Sequence, residues 1–263
     1  MNPFVHSTAA RRYAQARPHY HPVAITLIRD FLPVDWPVQR ALDVACGTGQ
    51  SCVALKGLAQ EIVGTDSSPE MLAEATVHPS IRYVEATAED LPFPDQYFDL
   101  ITVSSAFHWF DRDKFLAEAN RVLAVGHWLV IYDNSFKGIM KGNPDFAKWM
   151  QASYMERYPC PSRHWSPLTE GEAEACGFRF ARNESYSNDI MFDVKGLARY
   201  LTTQSNIIAA VEEAGRESLD EVCEWLESSL RAMFGPQQGT FAFGGTIWYL
   251  EKSRTTESNA TSG

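Results

Sequence analysis

Leu42-Asp43-Val44-Ala45-Cys46-Gly47-Thr48-Gly49 is the stretch that decides the fold. A near-continuous apolar run, residues 41–45, ends here in a Gly-x-Gly turn, as a strand covered on both faces does when a helix follows it. Glycine suits such a turn because it adopts a positive φ readily and lets a ligand approach the backbone closely. Taken alone, the turn leaves a structural and a ligand-binding role equally open.

Around this turn, short apolar runs alternate with helical patterns, which is typical of a parallel sheet with covering helices. Further strands are predicted at residues 61–66, 81–86, 98–104, 127–133, 178–186 and 241–250. We therefore predict an α/β fold: a Rossmann-like, doubly wound, mostly parallel seven-stranded sheet with an antiparallel edge strand and a helical cap insertion.

The domain organisation follows from a change of pattern after residue 133. Residues 134–175 carry glycines and prolines among aromatic side chains, which indicates a helical insertion rather than sheet. We predict N-terminal helices and the Rossmann-like core over 1–133, the helical cap over 134–177 and completion of the core sheet with further helices over 178–252. Residues 253–263 are polar and predict a disordered tail.

Composition restricts the classes of protein and partner. The 263 residues are 45% hydrophobic and 21% charged, as in an ordinary globular protein, and the formal net charge of −10 disfavours nucleic-acid partners. No apolar run approaches the roughly 20 residues of a membrane span, so we expect a cytoplasmic protein with no membrane partner. Five scattered cysteines without a Cys-x-x-Cys pair indicate reduced thiols and no metal site. The oligomeric state stays open.

An acidic residue ends the second strand. Asp66 stands 17 residues after Gly49 and could accept hydrogen bonds from both ribose hydroxyls of an adenosine ligand. It could equally cap the helix that Ser68 and Pro69 begin, and the two roles are compatible.

A third acidic site follows the third strand in Ala88-Glu89-Asp90-Leu91-Pro92-Phe93. Glu89 or Asp90 could accept a hydrogen bond from an adenine amino group, although an acidic surface loop is the commoner fate of such residues. Because an open α/β sheet binds ligands at the carboxyl ends of its strands, three such sites in succession predict adenosine binding.

These segments resemble the class I S-adenosylmethionine-dependent methyltransferases, specifically the methyltransferase-11-like group that includes trans-aconitate methyltransferase. The family's turn reads Asp-x-Gly-Cys-Gly-Thr-Gly, and residues 43–49 are similar to it with Ala45 in place of the first glycine. Residues 66–72 are similar to the ribose motif and residues 88–93 to the adenine motif. The likeness is specific from Val38 to Asp133 and loose over the cap.

The resemblance implies S-adenosyl-L-methionine as the cofactor. Tyr13-Ala14-Gln15-Ala16-Arg17-Pro18-His19-Tyr20 is similar to a family segment that closes over the methionine end, where Arg17 can pair with the cofactor carboxylate in two-point geometry. A surface arginine is the alternative. The cofactor contacts implied are Tyr13, Arg17, Asp43, Ala45, Cys46, Gly47, Thr48, Gly49, Asp66, Ser67, Met71, Ala88, Glu89, Asp90 and Ser104.

The methyl acceptor is expected beyond the fourth strand, at Ser104-Ser105-Ala106-Phe107-His108-Trp109-Phe110. His108 is the candidate catalytic residue, as base or hydrogen-bond donor, because an imidazole with a pKa of about 6.5 can serve as either. A packed structural histidine is the alternative, since in-line methyl transfer needs only alignment and exclusion of water. The predicted acceptor pocket, to which the cap contributes, comprises Tyr20, Phe107, His108, Trp109, Trp165 and Tyr200.

The sequence thus predicts methyl transfer to an oxygen nucleophile, a carboxylate or a hydroxyl, of a small molecule. An NAD(P)-dependent oxidoreductase shares the Gly-x-Gly and the ribose acid, but Cys52 stands where its third glycine should be. A non-catalytic S-adenosylmethionine-binding protein is the other alternative. A Pro-Pro-aromatic motif, common in methyltransferases that extrude a nucleic-acid base, is missing after the fourth strand.

Overall fold

The computed structural model describes residues 6–160, 166–234 and 237–253. The helices are α1 (Ser7–Ala16), α2 (His21–Phe31), α3 (Gln50–Ala54), α4 (Pro69–Ala73), α5 (Arg112–Val122), α6 (Pro144–Trp149), α7 (Met155–Arg157), α8 (Glu170–Ala175), α9 (Val194–Leu201), α10 (Ser205–Ile208) and α11 (Leu219–Phe234). The strands are β1 (Val38–Val44), β2 (Ala59–Asp66), β3 (Ile81–Glu85), β4 (Phe98–Ser104), β5 (Leu123–Tyr132), β6 (Ser135–Met140), β7 (Phe178–Phe192) and β8 (Gly239–Lys252).

One mixed sheet organises the molecule. Its order is β3-β2-β1-β4-β5-β8, with the first five strands parallel. Along one side, β8 pairs antiparallel with β5 and then with β6, through Tyr132 opposite Ile247 and Ser135 opposite Gly244. Along its other side β8 pairs with β7, the antiparallel edge strand. The predicted Rossmann-like α/β fold with an antiparallel edge strand is confirmed.

Both faces of the central strands are covered, which explains their apolar sequence. Ala41 and Leu100 pack beneath α2 and α3, whereas Leu42 and Ile101 pack on the opposite face against α5 and α8. With both faces occupied, the carboxyl ends of the parallel strands are the accessible place for a ligand.

The sheet has eight strands rather than the predicted seven, because the region predicted as a helical cap begins with β6. Side chains of Ser135–Met140 alternate between exposed and half-buried, as a strand requires. Gly138, at φ 67°, lies within a shift of register between Phe136 and Met140. In the sequence, a glycine at this position is typical of a loop between helices, so the strand was not predicted.

The cap has different boundaries from those predicted. Phe146 on α6 and Tyr154 join a third core cluster with Leu197 of α9, Leu226 of α11 and Phe241 of β8. Helices α9 to α11 therefore pack with the cap, whereas α8 packs on the core sheet through Ala173. Packing thus groups the elements differently from the predicted division at residues 134–177, because it joins segments that are distant in sequence.

Two predictions fall on residues outside the described ranges: the placement of Trp165 and the character of residues 254–263. The five cysteines are free thiols. Within the described ranges, every helix is too short or too polar to cross a lipid bilayer.

Candidate functional site

A cavity of about 930 Å³ opens at the carboxyl ends of the parallel strands. Its walls come from the segments that follow β1, β2, β3, β4 and β5, which are respectively residues 45–48, 66–67, 86–89, 104–106 and 133–135. Tyr13 and Arg17 cover it from the α1 side, and Tyr200, Gln204 and Ser205 from the cap. The position is the one expected for the ligand site of an open α/β sheet.

The turn after β1 contains three residues with a left-handed backbone. These are Ala45 at φ 55°, Gly47 at φ 56° and Gly49 at φ 77°. A Cβ atom on Gly49 would lie 2.1 Å from the Tyr83 hydroxyl oxygen, so only glycine fits there. Ala45 adopts the same kind of φ with a Cβ, which is a strained conformation for an alanine.

Asp43 organises the turn from below. It is fully buried and accepts hydrogen bonds from the Ser51 hydroxyl, from Thr102 Oγ1 at 2.8 Å and from Cys52 Sγ at 3.3 Å. Burial raises its pKa to about 6, against the opposing effect of these bonds. Asp43 does not line the cavity, and its predicted direct contact with the cofactor stays a prediction. It acts by joining β1, β4 and α3.

Asp66 lines the cavity and also fixes the turn. Its Oδ2 accepts from the Gly47 N–H at 2.8 Å and its Oδ1 from the Ser68 N–H at 2.9 Å, while burial raises its pKa. Ser68 itself caps α4 by accepting from the Met71 N–H at 3.2 Å. Since each carboxylate oxygen has a second lone pair, both oxygens can still accept from a ribose hydroxyl.

The two acidic residues of the third predicted site differ in position. Glu89 lines the cavity, and its Oε1 accepts from the Asp111 N–H at 2.9 Å. Asp90 is exposed and lies outside the cavity lining, and its contact with the cofactor stays a prediction. Ala88 lines the wall beside Glu89.

Arg17, which follows α1 directly, lines the cavity. Its guanidinium lies over the rings of Tyr13 at 4.5 Å and Tyr200 at 5.2 Å, and its Nη2 donates to the Thr203 carbonyl at 3.1 Å. Among the described residues, its buried Nε has no hydrogen-bond partner. A donor in this state fits a carboxylate ligand.

The remaining predicted residues divide between cavity and core. Two fall outside the lining: Gly49, whose role is the turn, and Phe107, which is 5% exposed and packs in the core. Both predicted ligand contacts stay predictions. The structure places all the other described candidates in the cavity wall: Tyr13, Arg17, Tyr20, Ala45, Cys46, Gly47, Thr48, Asp66, Ser67, Met71, Ala88, Glu89, Ser104, His108, Trp109 and Tyr200.

Sequence reasoning missed the side of the cavity around the end of β5. Asp133, Asn134 and Lys137 line it there, with His21 from α2 and Tyr186 from β7. Asp133 was detectable, because it follows an apolar strand much as Asp66 ends one. The contributions of α2 and β7 depend on tertiary contacts that no local pattern signals.

Comparison with known proteins agrees with this geometry. Residues 42–131 match the family model described as a methyltransferase domain. Over these residues the chain is similar to class I S-adenosylmethionine-dependent methyltransferases, and S-adenosylmethionine is the cofactor of that class. The predicted class and cofactor are confirmed, whereas the particular likeness to trans-aconitate methyltransferase is not specifically supported.

Individual relatives share either part of the chain or its fold. A demethylmenaquinone methyltransferase of Thermus thermophilus is 43% identical over 103 residues, 36% of this chain and 47% of that protein, so the match spans about half of the relative. A provisionally named methyltransferase of Dictyostelium discoideum is 24% identical over 86% of both chains. The solved structure of a provisional type II methyltransferase from Anaeromyxobacter dehalogenans has a TM-score of 0.66 and 22% identity, covering 90% of this chain and 98% of that one. At that identity the structural likeness shows the fold alone.

Proposed function

We propose that this protein transfers a methyl group from S-adenosylmethionine to an oxygen nucleophile, a hydroxyl or a carboxylate, of a small molecule. The observation that carries the proposal is the continuity of one cavity. The same space that Asp66 and Glu89 line continues to Tyr20, His108 and Trp109. A donor and an acceptor can therefore meet there without crossing solvent.

The cavity's polar groups fit the parts of the cofactor in turn. Asp66 would hold the ribose hydroxyls, Glu89 the adenine amino group and Arg17 the carboxylate, while Gly47 leaves the turn open for close approach. When bound, the cofactor supplies an electrophilic methyl group on a sulfonium. The protein's own task is to align the acceptor and exclude water.

The acceptor side of the cavity favours a small molecule. A volume of about 930 Å³ is near the upper end for small-molecule sites, which run to about 1,000 Å³, and it must also hold the cofactor. The Thermus relative is named for a small acceptor, a demethylmenaquinone. We propose that His108 contacts the acceptor, because it lines the cavity beside Trp109.

Isothermal titration with S-adenosylmethionine tests the first step, with reduced nicotinamide dinucleotide as the matched control. We expect saturable binding of the former only. No binding of S-adenosylmethionine at about 1 mM would overturn the proposal. Transfer of a labelled methyl group is then measured over a broad acceptor library, where binding without any transfer would favour the non-catalytic alternative.

A further inference from the structure

Three polar residues line the cavity where β5 leads into β6: Asp133 and Asn134, which follow β5, and Lys137 on β6, here called the β5 corner. The backbone of the corner is fixed from three directions. The Asp133 N–H donates to the Thr246 carbonyl at 3.1 Å, and the Asp133 carbonyl accepts from the Tyr186 hydroxyl at 2.7 Å. The Asn134 N–H donates to Ser105 Oγ at 3.1 Å. Side chains on so firmly held a backbone are well placed to recognise a ligand.

Two side chains of the corner, Asp133 and Asn134, have no hydrogen-bond partner among the described residues, whereas Lys137 Nζ donates to Ser135 Oγ at 3.0 Å. Asn134 is 4% exposed, yet neither its Oδ1 nor its Nδ2 has a hydrogen-bond partner among the described residues. Within the same ranges, nothing donates a hydrogen bond to the Asp133 carboxylate. A buried, unpaired polar group costs about 1–3 kcal/mol. A ligand in the cavity would remove that cost.

Charges in the β5 corner nearly cancel. Lys137 is the cation that faces Asp133, and it partly offsets the effect of burial, which raises the pKa of Asp133 to about 6. Tyr186 on β7 stays neutral because burial raises its pKa. His21 on α2 stays neutral because burial lowers its pKa to about 3. Balanced charge favours an uncharged acceptor over a carboxylate or an ammonium.

We infer, resting on the proposed function, that the β5 corner binds the reacting hydroxyl of an uncharged, ring-bearing acceptor such as a phenol or an enol. Asp133 accepts the proton of that hydroxyl, and Asn134 hydrogen-bonds the polar group beside it. Tyr20, Trp109 and Phe136 line the same cavity and suit a flat apolar ring.

The chemistry balances within this assignment. The acceptor oxygen forms a bond to the methyl carbon as the carbon–sulfur bond breaks, and that electron pair stays on sulfur. The proton of the hydroxyl passes to the Asp133 carboxylate and is later lost to solvent. A carboxyl group with a pKa of about 6 is a stronger base than an ordinary aspartate, which suits it to this step.

Three matched probes test the substrate class: para-cresol, para-toluate and para-methylbenzylamine. Binding is measured by titration of protein saturated with S-adenosylhomocysteine, so that no turnover occurs. We expect para-cresol to bind best and its affinity to fall about tenfold or more in Asp133→Asn, as for loss of one hydrogen bond to a charged group. Para-toluate should bind better in that variant than in the wild type, because the like charge is gone.

Asn134→Leu distinguishes recognition from a structural role. It replaces an unsatisfied amide with an apolar side chain of similar size, so the free energy of unfolding should stay the same or rise while para-cresol binding falls. Asp145→Asn is the matched control, because Asp145 is exposed on α6 and its carboxylate contacts Lys148. It should leave all three probes unaffected.

The pH profile of methyl transfer to para-cresol supplies the second readout. The wild-type rate should fall as the pH drops below about 6, where Asp133 becomes protonated, and Asp133→Asn should lose this dependence. Three results would overturn the inference. They are preferred binding of para-toluate or para-methylbenzylamine, no saturable binding of para-cresol, and unchanged para-cresol binding in both Asp133→Asn and Asn134→Leu. So would a pH dependence lost in His108→Ala but kept in Asp133→Asn. Failure of the wild type to bind S-adenosylhomocysteine would instead sink the proposed function.

Discussion

Asp43, Asp66 and Asp133 lie on or just after three parallel strands of one sheet, β1, β2 and β5, yet their surroundings give them different roles. Asp43 is enclosed by three donors and holds the turn, whereas Asp66 accepts two backbone hydrogen bonds and still lines the cavity. Asp133 lines it too and receives no hydrogen bond on its carboxylate from the described residues. The surroundings, more than the residue type, determine which carboxylate meets a ligand.

Asp66→Ala should weaken S-adenosylmethionine binding by about 1.5–3 kcal/mol, because a charged acceptor for the ribose hydroxyls is lost. The Gly47 and Ser68 amides lose their acceptor as well, which loosens the turn. Isothermal titration measures the change. Asp90→Ala is the control, since Asp90 is exposed and outside the cavity, and equal effects of the two substitutions would contradict the ribose assignment.

Ala45→Gly should raise the free energy of unfolding. Relief of the left-handed strain at Ala45 should raise the free energy of unfolding by about 1–2 kcal/mol. The greater conformational freedom of glycine in the unfolded chain should lower it by about 0.4–1 kcal/mol. Urea denaturation measures the net gain. Ala54→Gly, in the α3 helix, should instead lower stability by up to about 1 kcal/mol. A loss of stability in Ala45→Gly would show that its φ is not strained.

Asp133→Asn should have a higher free energy of unfolding than the wild type at pH 7, and the difference should disappear at acidic pH. Burial raises the pKa of Asp133 from 3.8 to about 6, so ionisation costs the folded state free energy above that range and nothing below about pH 4. The variant should therefore be more stable by about 1–3 kcal/mol at pH 7, the gap closing between pH 6 and 4. Urea melts across this range measure it. A gap independent of pH would contradict the burial of a charged group.

At the scale of elements, prediction succeeded where one local pattern determines the outcome. The strand Phe98–Ser104 has the predicted bounds because a run buried on both faces must be apolar throughout. Strand β5 begins at Leu123, four residues before the predicted start at His127. Gly126, at φ 77°, is a residue typical of a turn, so the sequence pattern places the strand after it. Strand β6 was missed for a similar reason at Gly138.

Helix α1 is held over the cavity by a partly buried ion pair. Glu212 accepts from Arg12 Nη1 and from Thr8 Oγ1, both at 2.8 Å, and thereby ties α1 to the cap. Tyr13 on α1 and Arg17 at its end line the cavity. The position of α1 is therefore coupled to the shape of the cofactor region.

Glu212→Gln should loosen α1. We expect faster hydrogen exchange over residues 7–16, since a helix this short depends on tertiary contacts, and weaker cofactor binding, since binding must then order the helix. Exchange mass spectrometry with and without S-adenosylmethionine measures both effects. Asp30→Asn, which removes an exposed ion pair with Arg29, is the control. Unchanged exchange in α1 would show that Glu212 does not hold it.

Over the whole molecule, the side of the cavity formed by the strand-end motifs was predictable, whereas the side around the β5 corner was not. Asp66 and Glu89 belong to short motifs at strand ends, where spacing along the chain indicates position in space. Asn134 follows β5, Tyr186 lies on β7 and His21 on α2, and only the completed fold brings them together. Local patterns contain no information on that assembly.

Strand β8 joins the core sheet and the cap into one cooperative unit. It pairs with β5 in the core and with β6 and β7 beside the cap, and Phe241 and Leu250 on it belong to different core clusters. We expect a single transition in calorimetry, with equal calorimetric and van't Hoff enthalpies. Two resolved transitions would show that cap and core unfold separately.

The position of β8 also affects how the chain is made. Every strand that pairs with β8 comes earlier in the sequence. During translation, the backbone groups of β5, β6 and β7 that bond to β8 therefore stay unpaired until residues 239–252 have been synthesised. Unpaired strand edges of this kind favour pairing between chains, and hence aggregation. Yield on overexpression or on refolding from denaturant should consequently depend on chain concentration far more than the stability of the finished protein suggests.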